Sequence, residues 1–316
     1  MDGTNKKLRV VYGDVTLGVH GAEFSYIFSY AQGGLESLVK NGYEWLYRCP
    51  KPTFWRALTD NDRGSGFHLK SGSWFAADQF ISCQHMEVIT DGISQGKPCA
   101  PQNNRYGSDQ FAEEVTVHYI YETILQTSTT VDVIYTVNAQ GKMKVSVHYT
   151  GKKGLPQLPV FGLRMIMPTL AEGYIYEGLF GETYPDRKAG AVKGVYEIRD
   201  LSLTPYLVPQ ECGMRMDTRW VEIRRKKSLN QSRKDSEQTL RIEMCDQEFA
   251  FSCLPYTAAE IENATHQEEL PPARRTVLCI YGAVRGVGGI DSWGSDVEKE
   301  YQISGEEDIS YSFVIC

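Results

Sequence analysis

The sequence of 316 residues predicts an all-β fold built from antiparallel strands. Many segments place apolar residues at every second position, which is typical of strands with one buried face. Turn-forming pairs such as Gly33-Gly34 and Asn41-Gly42 separate these segments. The chain shows no sustained helical period and no regular alternation of strand and helix patterns. An antiparallel, sandwich-like structure is therefore the expected class.

The strand patterns follow one another closely, as in a meander. Asn41-Gly42 is a residue pair typical of a two-residue hairpin turn, so the segments on either side of it are expected to pair. Residues 92–107 are rich in glycine, proline and side-chain amides, and are predicted to form a long loop or an irregular insertion. The predicted strands are residues 8–12, 22–30, 35–39, 43–47, 114–122, 129–137, 142–149, 276–282 and 308–316.

A turn-rich run from Phe54 to Gly64 holds an unusual density of aromatic, acidic and basic residues. Arg56 precedes Asp60, Asn61 and Asp62 by only a few positions. Aspartate and asparagine side chains also bind nearby backbone N–H groups. Two interpretations remain open for this run: a buried polar corner between strands whose groups satisfy one another, or part of a ligand site.

The residues after this run are predicted to form a surface loop from residue 64 to residue 71. Gly64 and Gly66 supply the backbone freedom that a mobile loop needs. Ser65 and His68 lie within it, and His68 is expected to be an exposed loop histidine. Farther along, Ser73 is a candidate cap for one short helix within residues 67–80.

The second half contains a glycine-rich segment, residues 286–294, with a single tryptophan. Two alternatives are open for Trp293: the ring folds back on the core, or it is exposed and faces a ligand. An indole offers a flat apolar face and one N–H donor. No helix pattern follows these glycines, which excludes a dinucleotide-binding turn. Two further polar clusters, residues 176–187 and 205–220, are expected to be surface loops.

Composition excludes several classes of function. The formal net charge of -7 argues against nucleic acid or an anionic membrane as the main partner. No stretch approaches the ~18 apolar residues of a membrane span, and no apolar signal core follows the N-terminus, so a cytoplasmic protein is predicted. The 8 cysteines show no metal-binding spacing and are expected to be reduced.

Five blocks of the sequence are residues 54–64, 184–187, 206–213, 217–220 and 286–294. Taken together and in this order, they resemble the C-terminal domain of the β-galactosidases of glycoside hydrolase family 2, which in some bacteria is a separate small subunit. The resemblance implies one antiparallel super-sandwich domain over residues 1–316, related to the galactose-mutarotase fold, with residues 1–13 as a lead-in strand. Two departures stand out: Ile290 replaces a usual acid, and Leu179-Phe180 alters a Gly-x-Gly-Pro loop.

The resemblance also implies a division of labour. Retaining glycoside hydrolysis needs two carboxyl groups, which in this family lie on a β/α barrel that this chain lacks. A large subunit is therefore the expected partner, carrying the catalytic pair and the magnesium and sodium ions, with a β-galactoside as substrate. No cofactor, no metal site and no catalytic residue is expected in this chain, which is predicted to be inactive alone.

The role expected for this chain is to complete the substrate pocket. By resemblance, Trp293 stacks on the sugar at the mouth of the active site, and Asp291, Gly64, Ser65 and His68 are the other candidate substrate-binding residues. The charged residues of the blocks are assigned to holding loops in place rather than to chemistry. These residues are Arg56, Asp60, Asp62, Asp186 and Arg187.

Two alternatives from other classes are kept. The first is a stand-alone sugar mutarotase or epimerase, which needs a histidine and a glutamate in one cleft. His118 and His148 lie on predicted strands and are its candidates if they point inward. The second is a carbohydrate-binding module that uses Trp293 and neighbouring tyrosines.

Overall fold

The computed structural model of the chain describes residues 7–100, 110–230, 232 and 234–316. Strands dominate this part, and every strand pairing within it is antiparallel. The predicted all-β antiparallel class is confirmed. Within the described ranges, no helix is both long enough and apolar enough to span a bilayer.

The helices are short: α1 is Asp60–Gly64, α2 is Phe67–Ser71 and α3 is Ala258–Asn263. Three 3₁₀ turns cover Gly72–Trp74, Gln267–Glu269 and Lys299–Tyr301. The strands are β1 (Leu8–Tyr12), β2 (Thr16–His20), β3 (Phe24–Ser29), β4 (Gly34–Lys40), β5 (Tyr43–Glu44), β6 (Arg48–Thr53), β7 (Ser82–Thr90), β8 (Ile93–Gly96), β9 (Gln110–Ala112), β10 (Glu114–Glu122), β11 (Thr130–Asn138), β12 (Met143–Tyr149), β13 (Val160–Met167), β14 (Gly173–Leu179), β15 (Lys193–Ile198), β16 (Arg215–Thr218), β17 (Trp220–Arg225), β18 (Gln238–Met244), β19 (Phe249–Leu254), β20 (Thr276–Val284) and β21 (Ile309–Ile315).

The described strands form three sheets. A six-stranded sheet has the order β5-β4-β3-β2-β1-β9, and a ten-stranded sheet has the order β15-β14-β17-β18-β21-β12-β11-β10-β7-β8. A five-stranded sheet has the order β16-β19-β20-β13-β6. The ten-stranded sheet joins neighbours that are far apart in sequence, such as β12 and β21, so it ties the end of the chain to its middle.

The hydrophobic core lies between these sheets. The rings of Phe28 and Tyr135 are 5.6 Å apart between centroids and join the six-stranded sheet to the ten-stranded one. Phe161 and Tyr311 are 6.1 Å apart and join the five-stranded sheet to the same face. In β10 and β11 buried residues alternate with partly exposed ones, as expected for strands with one covered face. The single-domain prediction for residues 1–316 stays a prediction.

Local turn chemistry explains the hairpin that the sequence predicts. Asn41 and Gly42 both adopt positive φ, 51° and 75°, and Lys40 pairs directly with Tyr43. Positive φ at both central residues is the geometry that the right-handed twist of two strands requires, and Asn-Gly adopts it most readily. The hairpin prediction is confirmed.

The predicted surface loop over residues 64–71 is wrong. Thr59 caps α1 and α2 follows at once, so two short helices occupy this segment. Phe67 is buried in the core and fixes α2 against the sheets. Ser73 caps no helix: it lies inside the 3₁₀ turn Gly72–Trp74.

Two loop predictions fail in part. Residues 176–179 of the first polar cluster belong to β14, and in the second cluster Arg215–Thr218 and the start of Trp220–Arg225 are strands. In β14 and β17 buried residues largely alternate with partly exposed ones, as in strands with one covered face. Within residues 92–107, Ile93–Gly96 form strand β8, and residues 101–107 lie outside the described part. The strand predicted over residues 8–12 is confirmed as β1, whereas residues 1–6 of the predicted lead-in lie outside the described part. All 8 cysteines are free thiols.

Candidate functional site

The run from Phe54 to Gly64 leaves the end of β6 and turns into α1. Thr59 is the helix cap: the backbone N–H of Asp62 donates to Thr59 Oγ1 over 3.1 Å. In return, Thr59 N and Thr59 Oγ1 each donate to Asp62 Oδ2 over 2.9 Å. This reciprocal capping fixes the Asp62 side chain inside the protein, because the backbone and the hydroxyl of Thr59 both donate to it.

Asp62 is the centre of a buried charge cluster. Arg56 Nη1 donates to Asp62 Oδ2 over 2.7 Å, and Arg56 Nη2 donates to Oδ1 over 3.2 Å. Arg285, at the end of β20, donates to the same Oδ1 over 3.3 Å and also pairs with Asp296. We call Arg56, Asp62 and Arg285 the Arg-Asp cluster. All three side chains are buried, which confirms that part of the run forms a buried polar corner. The corner is not fully self-satisfied, because Arg56 Nε and Arg285 Nε have no hydrogen-bond partner among the described residues.

The Arg-Asp cluster holds the first residues of the glycine-rich segment. We call residues 286–296 the Trp293 loop. Arg56 Nη2 donates to the carbonyl of Gly286 over 3.0 Å. Asn61, on α1, donates through Nδ2 to the carbonyl of Val287 over 3.0 Å. The two segments are far apart in sequence, so the structure brings the ends of β6 and β20 together at this loop.

A second pair of charged residues fixes the other side of the same backbone. Asp186 accepts from the N–H of Val287 over 3.0 Å and from the N–H of Gly288 over 2.8 Å. Arg187 donates to the carbonyl of Gly288. These contacts confirm the prediction that Asp186 and Arg187 hold a loop in place. Asp60, by contrast, is exposed and contacts Arg63 and Gln210.

The tip of the Trp293 loop is held by one aspartate. Asp291 Oδ1 accepts from Trp293 N over 2.9 Å and from Ser295 N over 3.2 Å, and Ser295 Oγ donates to Asp291 Oδ2 over 2.5 Å. These hydrogen bonds, led by that of the Ser295 hydroxyl, lower the pKa of Asp291. Trp293 itself is 91% exposed, so the alternative in which the ring folds back on the core is wrong.

The loop tip lies directly against the end of α1. Gly294 has φ of 82°, and a Cβ atom on it would lie 2.7 Å from the carbonyl oxygen of Gly64. Only glycine permits both that backbone conformation and that approach. Ser65 ends α1, donating through Oγ to the carbonyl of Asp62 over 3.2 Å. The end of α1 at Gly64 therefore lies in contact with the tip of the Trp293 loop at Gly294.

His68 does not fit its predicted description. It lies on α2 rather than in an exposed loop, its ring is partly buried, and its Nδ1 atom has no hydrogen-bond partner within the described ranges. The sequence missed this because Phe67, the neighbouring residue, is drawn into the core and carries His68 with it.

The two strand histidines do not point inward, so the condition for their role in the mutarotase alternative is not met. His118 contacts Asp132 over 2.6 Å on the partly exposed face of the ten-stranded sheet. His148 contacts Ser310 over 2.7 Å on that sheet and is also partly exposed.

Residues 160–168 carry apolar side chains at both odd and even positions. Most of them belong to strand β13, which is buried on both faces except at Arg164.

Glu211 is a buried carboxyl beneath the loop that sequence reasoning did not single out. Burial raises the pKa of Glu211 to about 8, although nearby Arg56 acts in the opposite direction. The Tyr184 hydroxyl donates to Glu211 Oε1 over 3.4 Å.

Sequence reasoning also missed Arg285. The signal that could have found it is a charged residue directly after the largely apolar strand β20. In the described part of the chain, no group of three or more His, Cys, Asp and Glu side chains is arranged to hold a metal ion.

Comparison with known proteins gives a consistent result. A family model described as "Beta galactosidase small chain" matches residues 20–315. A β-galactosidase small subunit of Latilactobacillus sakei is 59% identical over 316 residues, which is all of this chain and 99% of the relative. The β-galactosidase of Halalkalibacterium halodurans is 37% identical over 315 residues, 98% of this chain. That of Streptococcus thermophilus is 32% identical over 310 residues, 98% of this chain.

The relatives differ in length. This chain spans only 28% of the Halalkalibacterium halodurans protein and 27% of the Streptococcus thermophilus protein. Among solved structures, an Escherichia coli K12 protein described as a "Putative aldose 1-epimerase" aligns with 98% of this chain and 97% of its own, with a TM-score of 0.44 and 10% identity. We draw nothing about activity from that likeness.

Proposed function

The chain belongs to the β-galactosidase small-chain family, and we propose that it completes the active site of a catalytic large subunit that hydrolyses lactose and other β-D-galactosides. Trp293 carries this proposal. Its ring is 91% exposed, yet the base of its loop is fixed by buried charges. An isolated globular protein gains nothing from presenting an indole in this way. A pocket shared with a second protein would use it.

In this proposal Trp293 stacks on the incoming sugar. An aromatic face against sugar C–H groups gives dispersion and desolvation without demanding one pattern of hydroxyl groups. Asp291 shapes the loop tip through its three hydrogen bonds and faces the same surface. Gly64 and Ser65 support the tip from α1. His68 is retained as a candidate for the rim of the site, because its Nδ1 atom has no hydrogen-bond partner among the described residues.

Exposed apolar side chains around the loop support a protein partner on this face. Ile290, in place of the acid expected from the resemblance, is 54% exposed, and Leu69, which follows Gly66 on α2, is also exposed. These two side chains and Trp293 are exposed to water in the single chain. Burying such surface favours association. The large subunit is the proposed partner, and it carries the catalytic carboxyl pair and the magnesium and sodium ions in this proposal.

The test is hydrolysis of a chromogenic β-galactoside by the full chain alone, and again after mixing with a candidate large subunit. We expect activity only in the mixture. The same mixture made with Trp293→Ala should keep its assembly and lose affinity for the sugar. Robust hydrolysis by the full chain alone would overturn the proposal, because the catalytic carboxyl pair would then lie in this chain.

A carbohydrate-binding module is the second candidate, favoured by the exposed indole alone. Binding of galactose or lactose by the full chain without a partner, abolished by Trp293→Ala, would support it. The mutarotase alternative has lost its candidate histidines, since His118 and His148 face outward. The cytoplasmic location and the membership of glycoside hydrolase family 2 remain parts of the proposal.

A further inference from the structure

A cleft of about 410 Å³ lies on the five-stranded sheet. It is lined by β6, β13, the segment after the 3₁₀ turn Gly72–Trp74 and the start of α3. Its volume lies within the range of small-molecule pockets. Nothing in the proposed hydrolysis uses it. We call it the basic cleft.

The charges of the basic cleft are unbalanced. Arg48, Lys51 and Arg164 line it, and Asp78 is the single carboxylate among its lining residues. Asp78 is buried and already paired with Arg164. Arg48 and Lys51 have no carboxylate partner within 4.0 Å in the part of the chain that the structure describes. An excess of cations in one cleft of a protein with a net charge of -7 points to an anionic ligand.

The strand register makes this excess costly to the fold. Lys51 on β6 is the direct cross-strand partner of Arg164 on β13, and Arg48 is the partner of Ile166. Like charges directly opposite each other on paired strands destabilise a sheet. Local rules of this kind are broken mainly where function requires it. A bound anion between Lys51 and Arg164 would remove the repulsion.

The cleft also offers a neutral donor and an aromatic wall. Trp55 lines it, and its Nε1 atom is buried without a hydrogen-bond partner among the described residues. A buried donor of this kind costs free energy unless something accepts from it. Phe75 packs edge-on against Trp55 at 5.6 Å and is 40% exposed, so part of its ring is available to a ligand.

A neighbouring hollow of about 440 Å³ extends the same positive surface. It shares Arg48, Ile166 and Thr257 with the basic cleft and adds Arg274 and Arg275. The guanidinium of Arg275 lies 3.5 Å above the ring of Tyr47. The one carboxylate there, Glu260, accepts hydrogen bonds from Thr257 at the start of α3. The added charges thus attract the same kind of ligand.

We propose that the basic cleft binds a small organic phosphate, with the phosphate group between Lys51, Arg48 and Arg164 and a polar ring against Phe75 and Trp55. Arginine and lysine are the usual phosphate-binding side chains, because charge-assisted hydrogen bonds to phosphate oxygens are the strong ones. The ring hydroxyls supply the acceptor that Trp55 Nε1 lacks. The proposal does not depend on the hydrolysis proposed above.

The experiment is isothermal titration calorimetry of the full chain, alone and mixed with a candidate large subunit, at one fixed ionic strength. Galactose 6-phosphate, inorganic phosphate and galactose are the three probes. We expect saturable binding of galactose 6-phosphate at least about tenfold tighter than binding of either other probe, since only it engages both the cations and the rings.

Variants locate the site. Lys51→Gln and Arg48→Gln should each weaken the binding of galactose 6-phosphate by about tenfold or more, because each removes a charge-assisted hydrogen bond. Trp55→Phe, which keeps an aromatic ring and removes the N–H, should weaken it by about threefold to tenfold. The matched control is Lys144→Gln on β12 of the ten-stranded sheet, which should leave the affinity unchanged.

Three results would overturn the proposal. The first is no saturable binding of galactose 6-phosphate by the chain. The second is an equal affinity in Lys51→Gln and Lys144→Gln, which would mean unspecific attraction. The third is binding that disappears in the presence of the large subunit, which would make the cleft part of the subunit interface. Because the readout is binding and not hydrolysis, failure here leaves the proposed hydrolytic role untouched.

Discussion

The base of the Trp293 loop and its tip differ in how their polar groups are held. At the base, Arg56, Asp62 and Arg285 are buried and bind one another and the loop backbone. At the tip, Asp291 makes only local hydrogen bonds in solvent, and Trp293 has almost no cover. Because the base of the loop is already fixed, less conformational entropy is lost when a partner binds the exposed ring.

The difference also indicates which substitutions should change the free energy of unfolding. Buried charges stabilise a fold only while each is paired, and leaving one unpaired is costly. Local hydrogen bonds in water contribute little to global stability. Substitutions at the base should therefore change stability, and substitutions at the tip should change function. The predictions below run from the largest expected effect on stability to the smallest.

Asp62→Ala breaks the base. It leaves Arg56 without its carboxylate partner, leaves Arg285 paired only with Asp296, and removes the Asp62 half of the capping box of α1, so we expect a loss of about 3–5 kcal/mol in the free energy of unfolding. Urea denaturation followed by fluorescence measures this. The control is Asp60→Ala on the same helix, whose exposed carboxylate should contribute about 0–1 kcal/mol. A loss below about 1 kcal/mol for Asp62→Ala would contradict the cluster's structural role.

The pH dependence of stability tests the role of Glu211, the buried carboxyl near Arg56. Burial raises the pKa of Glu211 to about 8 in the folded state, above that of an exposed glutamate. The folded state thus binds more protons than the unfolded state between these two pKa values, and stability falls as pH rises through that window. From pH 6 to pH 8 we expect a decrease of up to about 2 kcal/mol from this group.

The measurement for Glu211 is the melting temperature between pH 5 and pH 9. Glu211→Gln should remain folded and lose most of this decrease, because an amide does not ionise. The exposed Asp291, whose pKa is lowered by its hydrogen bonds, should not contribute over the same range, so Asp291→Asn is the matched control. An unchanged pH profile in Glu211→Gln would show that this carboxyl is not the titrating group.

Gly294→Ala tests the junction between base and tip. A Cβ atom there meets the carbonyl oxygen of Gly64 at 2.7 Å, on a backbone with φ of 82°. We expect a destabilisation of about 1–2 kcal/mol and a displaced Trp293 ring, hence weaker complementation of the large subunit. Gly190→Ala is the control, because Gly190 has φ of 81° and open space around it. Equal effects of the two substitutions would mean that the contact with Gly64 is unimportant.

Trp293→Ala changes the tip alone. The free energy of unfolding should change by no more than about 0.5 kcal/mol, because the ring contacts little. In the reconstituted enzyme kcat/KM should fall by about tenfold, mainly through KM. The matched control is Val195→Ala on β15, another exposed apolar residue remote from the loop, which should affect neither quantity. A large loss of stability in Trp293→Ala would place the ring in the fold rather than the site.

The sequence by itself determined the secondary structure wherever a local rule applied. Period-two alternation gave β10, β11 and β12, and the Asn41-Gly42 pair gave the hairpin before β5, because backbone preference and burial of one face act over a few residues. The order of the polar blocks also led to the family. Within those blocks, the loop-holding roles of Asp62, Asp186 and Arg187 were assigned to them as charged residues.

Only the tertiary structure decided which distant residues meet. Arg285 joins Asp62 across more than two hundred positions, and no local pattern announces that contact. The helix α2 and the partial burial of His68 depend on Phe67 entering a core formed by other strands. The basic cleft arises because the register of β6 and β13 sets Lys51 opposite Arg164. Such pairings depend on the packing of the whole chain, and no short stretch of sequence determines the free energy of that packing.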